Sequence, residues 1–320
     1  MSRTTQVLEH RAIRLKPWSQ WLCGLVGVGG IAAGAVAVFV TKVEAGPVAL
    51  MALGAIFLVT GISGVLPTNL KLGAYEAGWS ERLQRMEDLG SQIGSALIAD
   101  DITNEAVLTR TASLPSETRS SLSAMVSTLS SDVRDVSTEL GSGNIPPDAL
   151  LPLATWNAAE QRWEDAAEYY DLYVQQRPDD WEVQFLRGVA HANSRTGRQS
   201  DLAALSAYDA ALASRTEDAP QDLVARLLIY RGGIKKRLDR LQEAASDVIL
   251  GQRMAVQPYE QVDASYNLAA IRAMQGDREG AMVEIRNLAS LGHKDLIAGH
   301  LNDYFSSLRD DPEFKSVIES

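Results

Sequence analysis

Residues 153–180 read LATWNAAEQRWEDAAEYYDLYVQQRPDD, and this stretch decides the predicted fold class. Alanines and well-separated aromatic residues alternate through it. Small residues let two helices approach each other closely, while aromatic residues fill the gap to a neighbouring unit. The whole chain has a related bias, with 46% hydrophobic but only 6% aromatic residues, a composition that suits helices rather than sheets. The sequence therefore predicts an all-α protein.

The same stretch resembles the tetratricopeptide repeat (TPR) family, whose unit is a helix-turn-helix of about 34 residues. Leu153 and Ala154 occupy the family's Leu-Gly positions in the first helix, and Pro178 closes the unit. The second helix has the family's large aromatic, small and aromatic residues in order: Trp163, Ala166 and Tyr170. The resemblance implies a TPR-like α-solenoid over residues 148–320.

Three further copies of the unit follow the first. Their small-site alanines are spaced more widely than the family period, counting from the first copy: Ala166, Ala204, Ala244 and Ala281. The second copy has Gly188 and Tyr208 at family sites and an insertion expected in its turn, at residues 196–201. The third has Gly232 at the small site of its first helix. Residues 303–314 resemble the closing segment after a last repeat, and we expect their helix to cap the apolar end of the stack.

Before the repeats, residues 18–66 contain two uncharged apolar stretches, 18–40 and 47–66, joined by a short turn with one lysine and one glutamate. A bilayer core needs about 20 apolar residues in a helix, so we predict a two-helix transmembrane hairpin. The tail at 1–17 has four basic residues against one glutamate, which favours a cytoplasmic location for it and for the C-terminus. The predicted location is a plasma or inner membrane, with a multi-pass chain. A cleaved signal peptide followed by one span is the alternative.

Residues 68–147 are predicted to be an amphipathic helical segment. Apolar residues recur at helical spacing from 75 to 99, and again from Leu122 to Leu140, where they alternate four and three apart. This second, heptad-like seam either packs within its own domain or drives self-association near the membrane. Residues 141–147 combine glycine, serine and proline, which indicates a linker and a domain boundary.

Composition and motifs argue against several classes of function. The net charge of -11 has the wrong sign for a nucleic-acid binder. The single cysteine, Cys23, lies in the first apolar stretch, so there is no disulfide framework and no cysteine-based zinc site. The four histidines lack metal-ligand spacing, and neither a P-loop nor a Gly-x-Ser-x-Gly motif is present. We predict that the chain is not an enzyme and needs no cofactor or metal.

The TPR resemblance implies a binding surface, because the first helix of each family unit lines a concave groove. Groove-facing positions carried over from the third and fourth units are Arg226, Tyr230, Lys236, Arg237, Tyr266 and Asn267. In the family, the position of the asparagine often contacts peptide. A basic, aromatic-lined patch could hold an acidic peptide or a C-terminal carboxylate through charge-assisted hydrogen bonds. The alternative is that the basic run at 234–240 is only a solvated helix face.

These observations predict a membrane-anchored TPR adaptor or scaffold. Its expected partners are the lipid bilayer and a protein or peptide, acidic in character, held at the cytoplasmic face of the membrane. The alternative function is a structural membrane assembly protein. Such a homo-oligomer would self-associate through its transmembrane and heptad-like helices.

Overall fold

The computed structural model describes residues 13–14, 17–26, 28, 57–58, 62, 65–66, 74–108 and 112–319. The helices are α1 Ala74–Ala99, α2 Asn104–Leu108, α3 Ser116–Glu139, α4 Pro147–Ala159, α5 Trp163–Val174, α6 Trp181–Ser194, α7 Arg198–Ser214, α8 Gln221–Arg237, α9 Leu241–Met254, α10 Pro258–Gln275, α11 Arg278–Ser290, α12 Lys294–Ala298 and α13 Pro312–Glu319. Residues 17–26 are also helical, and two short 3-10 turns cover Ser142–Asn144 and Ser306–Leu308. The predicted all-α character is confirmed.

One strand pair accompanies the helices in the described part of the chain. Strand β1, Ile13–Arg14, runs antiparallel to β2, Val65–Leu66. Ile13 faces Leu66, and Arg14 faces Val65. Each strand has only two residues, so the pair adds a local contact to an otherwise helical molecule.

The chain divides into two compact units, and the first comprises residues 1–100 and 115–153. In it α1 packs against α3, and Arg85 forms a bidentate ion pair with Asp132, at 2.9 and 2.8 Å. The predicted heptad-like residues of α3 are buried in this packing: Leu122, Val126, Leu129, Val133, Val136 and Leu140. The seam is therefore covered within the chain by α1.

The second unit comprises residues 101–114 and 154–320. From α5 to α11 each helix packs against the next, and α6, α8 and α10 also contact one another in series. The helices therefore form successive hairpins whose first members lie side by side. The bounds differ from the sequence prediction at one turn, because α7 begins at Arg198 and is 17 residues long. The extra residues of the second copy thus lengthen its helix rather than its turn.

Two glycines allow the close approach of paired helices. A Cβ atom at Gly188 would lie 2.2 Å from Cε1 of Tyr208, and one at Gly232 would lie 2.4 Å from Cγ2 of Val248. Both distances are far below van der Waals contact, so any larger residue would force the helices apart. These are the small-residue positions that the sequence analysis placed in the second and third copies.

The C-terminal segment packs on the last helix pair. Phe305, Leu308 and Phe314 are buried in one cluster with residues of α10 and α11, including Ala269 and Ile285. Their side chains cover apolar surface that the last hairpin would otherwise expose to water. The capping role expected of this segment stays a prediction, since it depends on the repeat architecture.

The predicted membrane location is contradicted. No helix among the described residues is long and apolar enough to cross a bilayer. The two longest described helices, α1 and α3, carry repeated charged residues. Val65 and Leu66, assigned to the second predicted span, are extended in β2. Residues 18–26, 28, 57–58 and 62 of the two predicted spans are described as helical, and the remainder of both spans, like most of the predicted cytoplasmic tail, lies outside the described residues.

Candidate functional site

Helix α8 presents two faces to its surroundings, and each carries cations. The helix follows Pro220 and ends with three basic residues in its last turn, Lys235, Lys236 and Arg237. Cations at this end of a helix interact favourably with its dipole. We call the side that packs on α9 the α9 face, defined by Arg231, Gly232 and Lys235. The side that lines a cavity is the cavity face, defined by Gly233 and Lys236.

The cavity has a volume of about 270 Å³ and lies entirely in the second unit. Its walls come from the end of α6, from α7, α8, α10 and α12, and from the segment that follows α12. Five of the six predicted groove residues line it: Tyr230, Lys236, Arg237, Tyr266 and Asn267. The structure therefore brings the predicted positions of the third and fourth copies together around one opening.

Lys236 is the most unusual group of the cavity, because its side chain is only 3% exposed. Its Nζ donates a hydrogen bond of 2.9 Å to Oδ1 of Asn267 and lies 4.8 and 4.2 Å from the ring centres of Tyr266 and Tyr304. None of the described carboxylates forms an ion pair with it. Burial lowers the pKa of Lys236 to about 7, since removal of water disfavours the charged form.

The geometry around Lys236 is fixed by its neighbours. The amide of Asn267 donates its own hydrogen bond, of 3.0 Å, to the backbone oxygen of Asp263, which orients Oδ1 towards the lysine. The rings of Tyr266 and Tyr304 each contact the ring of His300, at 5.9 and 5.6 Å between centres. The amine thus sits between aromatic faces and a single amide oxygen, an environment that accepts a cation without neutralising its charge.

The other cations of the cavity differ from Lys236 in their partners. Arg237 donates to the backbone oxygen of Ala192, at 3.0 Å, and pairs with the carboxylate of Asp201. Arg195, the left-handed C-cap residue of α6, also lines the cavity. Arginine remains charged at all relevant pH values, so Arg195 contributes a permanent positive charge to the cavity, whereas the charge of Arg237 is offset by Asp201.

Arg226 is placed elsewhere, which corrects the prediction that it faces an open groove. Its side chain is 1% exposed, and its guanidinium pairs with Glu105, at 3.0 Å, and with Glu260, at 3.3 Å. Tyr230 extends the same arrangement, because its hydroxyl donates a hydrogen bond of 3.0 Å to the backbone oxygen of Leu108. Arg226 and Tyr230 therefore hold α2, a segment of the same unit, against the helix stack.

Sequence reasoning missed the remaining polar residues of the cavity that follow α6, begin the turn before Asn267 or lie after α12: Arg195, Asp263, His300 and Tyr304. Tyr304 belongs to the closing segment, which was assigned only a capping role. An aromatic residue and a histidine just after the last repeat were the available signal. Among the described residues, no group of three or more histidine, cysteine or acidic side chains is arranged to hold a metal ion.

A scan of family models, a search of curated proteins and a search of solved structures each find no match to this chain. The TPR resemblance thus stays a prediction from the residues. Function is therefore inferred from the cavity itself.

Proposed function

We propose that the chain is a protein-interaction adaptor that binds a carboxylate-bearing segment of a partner. In this proposal, the helix pairs from α4 to α11 form a TPR-like α-solenoid. The cavity around Lys236 lies on its concave side and takes an acidic side chain or a C-terminal carboxylate. The serial contacts of α6, α8 and α10 support the solenoid, because in such a stack the first helices of the units line one surface.

The observation that carries this proposal is a buried amine, in a cavity, with no carboxylate among the described residues to neutralise it. An unpaired buried charge is costly to maintain, and buried charges in proteins are normally paired. A carboxylate from a ligand would supply the missing partner. The neighbouring charge of Arg195 favours an anion there, although Arg237 is paired with Asp201 and the whole chain has a net charge of -11.

The contact between α2 and α8 supports the same chemistry. There a glutamate, Glu105, pairs with Arg226, and a backbone carbonyl, that of Leu108, accepts from Tyr230. Val107 and Leu108 of the same segment are buried. The helix surface next to the cavity thus already holds a short acidic segment of its own chain through one ion pair and one main-chain hydrogen bond.

Binding of a defined acidic peptide tests the proposal. The probe is fluorescently labelled hexaglutamate with a free C-terminus, titrated with the full chain near pH 6.5 and followed by fluorescence anisotropy. Hexaglutamine is the matched uncharged peptide. We expect saturable binding of hexaglutamate only, and we expect Lys236→Gln to weaken it by about 10- to 100-fold, the equivalent of one charge-assisted hydrogen bond.

Lys315→Gln is the control, because Lys315 is exposed, lies outside the cavity and pairs with Asp310 at 3.5 Å. It removes the same charge and should leave the dissociation constant unchanged. Equal losses in the two variants would reduce the interaction to general electrostatic attraction. Equal affinity of the Lys236→Gln variant and the unmodified chain would refute the site.

A further inference from the structure

The surroundings of Lys236 contain groups of both charge signs, and all of them bear on its protonation. The titratable and charged groups that line the cavity are Arg195 after α6, Tyr208 of α7, Tyr230 and Arg237 of α8, Asp263 and Tyr266 of α10, and His300 and Tyr304 of the C-terminal segment. Arg237 is paired with Asp201, and His300 contacts Asp303 at 3.3 Å. Lys236 itself has an amide oxygen and two aromatic rings as its partners among the described residues.

We propose that binding of a carboxylate in this cavity is coupled to uptake of a proton by Lys236, so that the site releases its acidic partner as the pH rises above neutrality. This inference rests on the proposed function and adds its regulation. It follows from the placement of one desolvated amine, without an ion-pair partner among the described residues, in the wall of the cavity that receives the anion.

The direction of the coupling follows from the two states of the site. In the empty cavity, burial holds the pKa of Lys236 at about 7, so the amine is largely neutral above this pH. A carboxylate next to the amine favours the charged form and raises its pKa. The number of protons taken up on binding is therefore the difference in protonation of Lys236 between the bound and the empty cavity. Below about pH 7 the amine of the empty cavity is already charged, so binding takes up few protons. Above this pH, the uptake approaches one proton for each carboxylate bound.

The size of the effect follows from the same scheme. For a bound state that stays protonated, the dissociation constant rises tenfold for each pH unit above the pKa of the free site. Between pH 7 and pH 9 the affinity should therefore fall by about 50-fold. The fall would end where the amine of the bound state itself begins to lose its proton.

The other cavity groups do not produce this profile. Arginine keeps its charge throughout, and burial raises the pKa of Tyr266 far above the range considered. His300 is the one histidine among the residues that line the cavity. Its replacement by glutamine distinguishes its contribution from that of Lys236, because His300 contacts the aromatic rings rather than the amine.

Calorimetric titration of the full chain with hexaglutamate, between about pH 6 and pH 9, tests the inference. Paired measurements at each pH in two buffers of different ionisation enthalpy give the number of protons taken up; phosphate is avoided because it is an anion that could itself occupy the site. We expect uptake to rise from near zero towards one and the affinity to fall as calculated. Lys236→Arg keeps the charge at every pH, so it should bind with almost no pH dependence. His300→Gln should behave like the unmodified chain.

The outcomes separate the two proposals. Hexaglutamate binding that keeps one affinity from pH 7 to pH 9, with no proton uptake, overturns the coupling and leaves the proposed function standing. The coupling to Lys236 is likewise overturned if His300→Gln abolishes the pH dependence. Absence of hexaglutamate binding at pH 6.5 overturns both proposals. Rates of acetylation of Lys236, followed by mass spectrometry across the same pH range, provide a measure of its free-state protonation that needs no peptide.

Discussion

Lys235 and Lys236 are neighbours in the sequence, but α8 turns them to opposite environments. On the α9 face, Lys235 pairs with Asp247 at 2.8 Å, and the same carboxylate receives two hydrogen bonds from Arg231, at 2.8 and 2.6 Å. On the cavity face, Lys236 is equally buried, yet its partners in the described part of the chain are Asn267 and two tyrosine rings. On the α9 face, carboxylates of the chain neutralise the cations. On the cavity face, none of the described carboxylates neutralises Lys236.

This difference shows how position, rather than residue type, separates a structural charge from a binding charge. A buried ion pair that is complete holds two helices in register, and its disruption leaves uncompensated charge behind. A buried cation without a counter-ion adds nothing comparable to the fold. The first kind of charge should therefore matter for stability and the second for ligand binding. The following changes test that division.

The largest expected effect is on the α9 face. Asp247→Asn removes the charge shared by Arg231 and Lys235, whose side chains are only 18% and 9% exposed. Lys235 and the partly buried Arg231 would then lie side by side, with the exposed carboxylates of Glu243 and Asp209 as their remaining partners, so we expect the free energy of unfolding to fall by about 3 kcal/mol. Urea denaturation measures the change.

Asp209→Asn is the control for that change. Asp209 binds the same arginine at 3.0 Å, but its side chain is 56% exposed. A solvent-exposed ion pair contributes at most about 1 kcal/mol. If both substitutions had equal effects, the α9 face would not be the structural one, and the division between the two faces would fail.

Sequence patterns located much of this arrangement in advance. Helical pairing and the glycines at 188 and 232 followed from the resemblance, as did the grouping of Lys236, Tyr266 and Asn267. The ion-pair partners of the charged residues on α8 did not follow from the sequence. Adjacent residues on a helix point about 100° apart, and the choice of which lysine meets Asp247 depends on the placement of α9. A linear sequence does not contain that placement.

Two further features escaped the sequence for physical reasons. Arg226 has the same spacing as a groove residue, but Glu105 reaches it from 121 positions away. Long-range pairs of this kind leave no local signal. The heptad-like seam of α3 was open to two interpretations, and α1 covers it in the first unit. Periodicity identifies an apolar stripe but not the surface that buries it.

Two adjacent glycines give the next test of the comparison. A Cβ atom at Gly232, on the α9 face, would meet Cγ2 of Val248 at 2.4 Å and the backbone oxygen of Ala244 at 2.9 Å. One at Gly233, on the cavity face, would lie 3.3 Å from Oδ1 of Asn267. We expect Gly232→Ala to lower the free energy of unfolding by about 2 kcal/mol through overpacking.

Gly233→Ala should change stability by less than about 1 kcal/mol, because the better helix propensity of alanine offsets a small shift of the amide. Its effect should appear in binding instead, since Asn267 holds the amine of Lys236. Thermal unfolding and hexaglutamate affinity, measured on both variants, distinguish the two effects. A strongly destabilised Gly233→Ala variant with unchanged affinity would reverse the assignment of the two faces.

The smallest expected change in stability concerns Lys236 itself. Replacing this buried residue should stabilise the folded chain at low pH, whereas replacing a buried residue usually destabilises it. Its folded-state pKa, about 7, lies below the ordinary 10.5, so the unfolded chain binds more protons between these values and stability rises with pH there. The lysine opposes folding fully below about pH 7. Lys236→Met removes this penalty but also the contacts with Asn267 and the tyrosines, which offset part of the gain. We expect the variant to be about 1 kcal/mol more stable near pH 6.

The gain should be lost as the pH rises above 7 and become a net loss by pH 10, because the unmodified chain is stabilised by about 1.4 kcal/mol for each pH unit over which folding releases the proton of Lys236. Urea denaturation at several pH values gives the difference between the two chains, and Lys315→Met should follow the unmodified chain throughout. A difference that is independent of pH would mean that Lys236 stays charged in the folded protein. In that case the cavity face, like the α9 face, would hold a fully compensated cation, and the contrast between the two lysines would disappear.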